Sequence, residues 1–85
     1  MEDLEFEPHA RDEMATNAIS EDEVYHVVGD ADVEYERDDG RTRYERMMDD
    51  GRMIVVIVED ATRTVKTVWW DKRNSRRRHR RPRQA

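Results

Sequence analysis

Met53-Ile54-Val55-Val56-Ile57-Val58 is the longest apolar run in an 85-residue chain of which 44% is charged. It falls far short of the roughly 20 residues that a membrane-spanning helix needs, so it must be buried inside a folded domain. Its β-branched side chains favour a strand. It is apolar on both alternating faces, and such a strand is central and covered on two sides. Alternation places Ile54, Val56 and Val58 on one face and Met53, Val55 and Ile57 on the other.

The neighbouring segments supply partners for that strand. On its C-terminal side Asp60-Ala61-Thr62 reads as a turn, and Thr64 to Trp70 is a second strand rich in β-branched and aromatic residues. On its N-terminal side Asp49-Asp50-Gly51 is a hairpin signal, preceded by a strand from Arg41 to Met48. A second Asp-Asp-Gly turn, at 38–40, leads back to Val33, Tyr35 and Arg37, which alternate with Glu34 and Glu36. Before Gly29 the period changes from 2 to 3.6. Ser20 and Glu23 form a capping box that opens a helix from Glu21 to about Val28, with Val24, Val27 and Val28 as its apolar stripe. Ile19 and Val24 are placed to make a hydrophobic staple across that cap. Pro8 favours a first helical turn, and Ala10 and Met14 share one face of a helix reaching Thr16.

The fold class is therefore α+β: two N-terminal helices packed on one face of a four-stranded antiparallel β-meander, ordered as in the chain. Trp69 and Trp70 point to opposite faces, so one of them should cover the face without helices. That outer face, bearing Met and Trp, is an expected surface for a partner protein or for self-association.

The charge is divided sharply. From Lys72 to Ala85 the chain has eight Lys or Arg and no acid, while residues 1–71 hold the other eight bases and all 21 acids. The two parts thus carry +8 and −13 within a net charge of −5. Residues 1–71 are read as one domain and 72–85 as a disordered basic tail, because the tail has nothing apolar with which to build a core. Lys72, Arg73, Arg76, Arg77, Arg78, Arg80, Arg81 and Arg83 are its candidate contacts to RNA or DNA. The acidic body should repel phosphate.

No cysteine is present, so neither a disulfide framework nor a thiolate metal site is available. The acidic start Met1-Glu2-Asp3-Leu4-Glu5 does not resemble a signal peptide, and a soluble cytoplasmic protein that does not engage membranes is expected. No His or carboxylate spacing matches a metal site, and the glycines at 29, 40 and 51 form no phosphate loop. No cofactor is implied. Among the histidines, His79 belongs to the tail and His26 lies between core valines, where it reads as a side chain without a role. His9, at a helix start, is the better candidate for acid–base work. In the strand Arg41-Thr42-Arg43-Tyr44-Glu45-Arg46, alternation sets Thr42, Tyr44 and Arg46 on one face and Arg41, Arg43 and Glu45 on the other. Arginines bind phosphate bidentately and tyrosine can stack or carry a proton, which makes Arg43, Tyr44 and Arg46 candidates beside His9. The plainer reading is a solvated strand with ion pairs across to Glu34 and Glu36.

Pro8-His9-Ala10, then Met14, then Ala18-Ile19-Ser20-Glu21-Asp22-Glu23-Val24 resembles the N-terminal signature of the family called domain of unknown function 4258. Arg52, the Ile54-Val55-Val56-Ile57 strand and Val65-Lys66-Thr67-Val68-Trp69 fit the later part, so the resemblance spans residues 6 to 70. Such domains look like the ribonuclease folds of RelE-type and BrnT-type toxins. The resemblance implies metal-independent RNA cleavage, with His9 at the position of the family's helix histidine. The family's arginines before the methionine and before the Ile-Ser step are Glu13 and Asn17 here. Two functions from different classes follow: an interaction module holding nucleic acid through its tail, or a toxin-like endoribonuclease, active or degenerate.

Overall fold

A computed structural model describes residues 3–72. The elements run β1 (Glu5–Phe6), α1 (Pro8–Asn17), α2 (Glu21–Gly29), β2 (Val33–Glu36), β3 (Arg41–Met47), β4 (Met53–Glu59) and β5 (Thr64–Trp70). The sheet order is β1-β5-β4-β3-β2. Strands β2 to β5 form the expected antiparallel meander. The four-stranded antiparallel sheet needs one correction: β1 adds a fifth strand, parallel to β5, with Glu5 opposite Thr64 and Phe6 opposite Val65. The expected disorder of the tail beyond Lys72 lies outside the described residues.

Two equivalent turns set the register. In both, the residue before Asp-Asp-Gly donates its N–H to the carbonyl of the arginine after it: Arg37 to Arg41 and Met48 to Arg52, each at 2.8 Å. The second aspartate accepts that arginine's N–H at 3.1 Å in both turns. Gly40 and Gly51 close them at φ 83° and 93°, in the left-handed region where a side chain is strained. A three-residue loop ending in a left-handed glycine is a standard hairpin solution. It fixes Tyr44 opposite Val56 and Arg43 opposite Ile57. A bulge between Ile57 and Val58 then lets β5 place both Val65 and Val68 on the inner face.

The core lies between that inner face and the helices. Ile54, Val56, Val58, Val65 and Val68 are fully buried, and they meet Ala10 and Met14 of α1 and Val24 and Val27 of α2. Helix α1 lies over β5, and α2 lies over β3 and β4. The capping box at Ser20 is present in both directions, and Ile19 and Val24 are both buried. Val55 and Ile57, on the face without helices, are buried as well. Trp69 shares that face opposite Val55, and the Arg43 guanidinium sits 5.2 Å from its ring centroid. Trp70 packs against the helical side.

Strand β1 is anchored by its alternate residues. Leu4 is buried, and its N–H donates to the Tyr25 hydroxyl at 2.8 Å. Phe6 meets Tyr25 edge-on at 6.2 Å and carries the Arg11 guanidinium at 4.8 Å. Beyond Val65 the β5 edge has no strand partner from β1, and there the Glu13 carboxylate of α1 accepts the Val68 N–H at 3.0 Å. Asn17 donates to the Glu13 carbonyl at 2.8 Å. Glu13 and Asn17, where the resemblance leads one to expect arginine, thus seal an edge and close a helix.

Lys66, at the bulge, pairs with Glu7 and, at 3.5 Å, with Glu59. Its pKa is raised above the ordinary 10.5, chiefly by the hydrogen bond to Glu7, which outweighs the opposing effect of burial; Glu59 adds to the rise. A raised value means that the native state holds the proton more tightly than the unfolded chain does. The resulting stabilisation is complete below pH 10.5 and is lost as pH climbs through the native value. Lys66→Met should therefore flatten the alkaline decline in the urea midpoint, and an unchanged decline would show that the pairing contributes nothing.

Candidate functional site

The site is built where the helix corner meets the β3–β4 hairpin. Helix α1 ends on Ala18 in the left-handed conformation, φ 56° and ψ 47°, with the Ala18 and Ile19 N–H groups returned to the Ala15 and Met14 carbonyls. For a residue with a Cβ this conformation costs about 1–2 kcal/mol. Arg52 reaches the corner from the hairpin: Nη1 donates to the Ala18 carbonyl at 3.1 Å and Nε to Asp50 at 2.8 Å, while Nη2 pairs with Glu23. Glu23 uses its other oxygen to complete the Ser20 cap at 3.0 Å. One carboxylate therefore joins the start of α2 to the second Asp-Asp-Gly turn.

Beside this junction lies an open cleft of about 240 Å³, lined by Glu23, His26, Arg46, Met48, Asp49 and Asp50. Arg46 is positioned from β3 and is four-fifths buried; its Nη1 donates to the Asp30 carbonyl at 2.8 Å and to the Asp30 carboxylate at 3.1 Å. Its Nε is buried without a hydrogen-bond partner among the described residues. His26 is exposed on α2. An imidazole and a guanidinium on one cleft offer proton exchange and anion contact. The carboxylates of Glu23, Asp30, Asp49 and Asp50 outnumber Arg46 and Arg52, so the local field favours cations over phosphate. Among the described residues no group of three or more His, Asp or Glu is placed to hold a metal ion, and no helix is long and apolar enough to cross a membrane.

The sequence-derived candidates are not gathered in one place. His9 is exposed on α1 and faces Glu13 at 3.5 Å. Tyr44 is buried in the core beneath the helices. Arg43 lies on the opposite face of the sheet, bonded to Glu45 at 2.5 Å and stacked on Trp69. Arg46 alone of the four lines the cleft, and its histidine neighbour there is His26. The expected ion pairs to Glu34 and Glu36 do not form, because register sets Glu34 opposite Tyr44 and Glu36 opposite Thr42. Of the basic segment, Lys72 is described, 5.5 Å from the Trp70 ring centroid; Arg73, Arg76, Arg77, Arg78, Arg80, Arg81 and Arg83 lie outside the described residues. Sequence reasoning missed Glu23 and Arg52 as a pair, and the repeated Asp-Asp-Gly-Arg of the two turns was the signal available for Arg52.

A helix corner clamped onto a meander hairpin, with an acidic cleft beside it, defines the class structurally. The chain belongs to the family described as Domain of unknown function (DUF4258), whose model matches residues 6–70. The match runs from the last residue of β1 to the last residue of β5, so the basic segment lies beyond it. Comparison with the curated proteins and with the solved structures yields no significant match.

The Glu23–Arg52 pair is partly buried on both sides. In a double-mutant cycle of Glu23→Gln and Arg52→Ala the coupling should be about 1 kcal/mol by chemical denaturation, above that of the more exposed Arg37–Asp39 pair. Equal coupling for the two pairs would mean that the clamp adds nothing to an ordinary surface contact.

Proposed function

We propose that the chain is a small interaction module that holds nucleic acid through the basic segment starting at Lys72. The observation that carries this reading is the state of the cations in the folded domain. Arg11, Arg37, Arg43, Arg46, Arg52 and Lys66 each sit against a carboxylate. A phosphate approaching them must displace an acid already in place, in a body with a large excess of acids. From Lys72 to Ala85 the eight cations are interrupted by no acid, the nearest being Asp71 at the segment's start. Contact there is made by counterion release and is indifferent to base sequence.

A second reading, a metal-independent endoribonuclease in the manner of RelE-type toxins, has one supporting observation: His26 and Arg46 share the cleft. In this reading His26 takes the proton-transfer role that the family resemblance gives to His9, with Arg46 against the phosphate.

A titration against a short RNA duplex tests both. Full-length protein should lose about 10²–10⁴-fold in affinity between about 50 and 200 mM salt. Protein ending at Asp71 should not bind, and should keep its fold, since no described core residue lies beyond Trp70. Equal binding by the two would place the contact on the folded surface. Cleavage of single-stranded RNA that His26→Ala abolishes and His9→Ala spares would favour the second reading.

A further inference from the structure

We propose that the open edge of β2 is a docking site for an extended basic segment of a partner protein, which adds to the sheet as another strand. The two sheet edges are treated differently. At the far edge β1 covers the start of β5, and Glu13 accepts the Val68 N–H beyond it. At the near edge all four residues of β2 are exposed. Arg37 turns its N–H inward, to the Arg41 carbonyl at 2.8 Å. Alternation then directs the N–H and C=O groups of Glu36 and Glu34 away from β3, toward solvent. These are the groups that an incoming strand pairs with.

The side chains specify the occupant. Val33 and Tyr35 are 47% and 61% exposed, the large apolar residues left open on the described surface. They lie on the outer face, in the rows of Glu45 and Val55 and of Arg43 and Ile57. Glu34 and Glu36 point to the helical side, but α2 covers β3 and β4 rather than β2. Neither glutamate has an ion-pair partner among the described residues. A segment that alternates cations with apolar residues matches both faces at once.

A second copy of the chain does not match. Antiparallel pairing of two β2 edges about a two-fold axis keeps like faces together, so Glu34 and Glu36 from both copies would form one row of carboxylates. Like charges directly opposite are destabilising. The basic segment of this chain does not match either, because residues 73–83 contain no apolar side chain to alternate against Val33 and Tyr35 except Pro82. The carboxylates that keep copies apart are the contacts that a basic partner strand would use.

The test uses the full chain, labelled with ¹⁵N, and short capped peptides. A peptide alternating lysine and valine should shift the amides of β2 and slow hydrogen exchange at Glu34 and Glu36. The same peptide with methylated backbone nitrogens should not bind, which separates strand addition from attraction to an acidic protein. Glu34→Lys with Glu36→Lys should weaken the lysine–valine peptide by about tenfold or more and admit a glutamate–valine peptide instead. The proposal is overturned if the methylated peptide binds equally, if shifts map to the Asp49–Asp50 cleft, or if the free chain already dimerises through β2.

Discussion

The Glu23–Arg52 pair is the contact on which the assembly of the two layers depends. Each layer is locally well specified. The capping box starts α2 without help from the sheet, and the Asp-Asp-Gly turns register the meander without help from the helices. Apolar burial pulls the layers together but is indifferent to small slides and rotations. Arg52 removes that freedom. Its three donor nitrogens reach Asp50 in its own turn, the Ala18 carbonyl at the end of α1 and the Glu23 carboxylate at the start of α2. The left-handed Ala18 is held between helix carbonyls that receive its chain's N–H groups and a guanidinium that takes its carbonyl. The cleft opens beside this junction, with Glu23 and Asp50 of the clamp on its wall.

The same economy of charge governs function. A body so rich in carboxylates uses its arginines internally: Arg52 in the clamp, Arg46 at the end of α2, Arg43 over Trp69. Arg43 also shows why a sheet face without helices can still bury Val55 and Ile57, since its flat cation and the indole lie over neighbouring rows. What remains exposed is mostly acidic. The field of the folded domain therefore attracts cationic groups and repels polyanions. The match to the family model ends at Trp70, so the basic segment lies outside the part of the chain that the family defines.

The sequence made the meander and α2 legible because each rests on local chemistry. Met53 to Val58 is apolar on both faces, Ser20 and Glu23 form a reciprocal cap, and the turns carry their glycine where φ is positive. Strand β1 was missed although Leu4 and Phe6 alternate with Asp3, Glu5 and Glu7, because two paired residues are too few for periodicity to stand out and the pairing is parallel and distant. The candidate site was less legible. Alternation correctly separated Arg43 from Tyr44 and Arg46, but it cannot say which helix lies above a given strand. That placement left Tyr44 under the helices and set Arg46 beside His26 rather than His9. Glu13 and Asn17 looked like losses from a catalytic pattern; in three dimensions they bind Val68 and the helix backbone.

The central claim is that the folded domain does not itself meet phosphate. The most direct measurement is a residue-by-residue amide titration of the ¹⁵N-labelled full chain with a short RNA duplex at low salt. The account predicts shifts confined to Lys72 and the residues after it, with His26, Arg46 and Asp49 unmoved. Early, saturating shifts at those cleft residues would contradict it and place the nucleic-acid site on the domain.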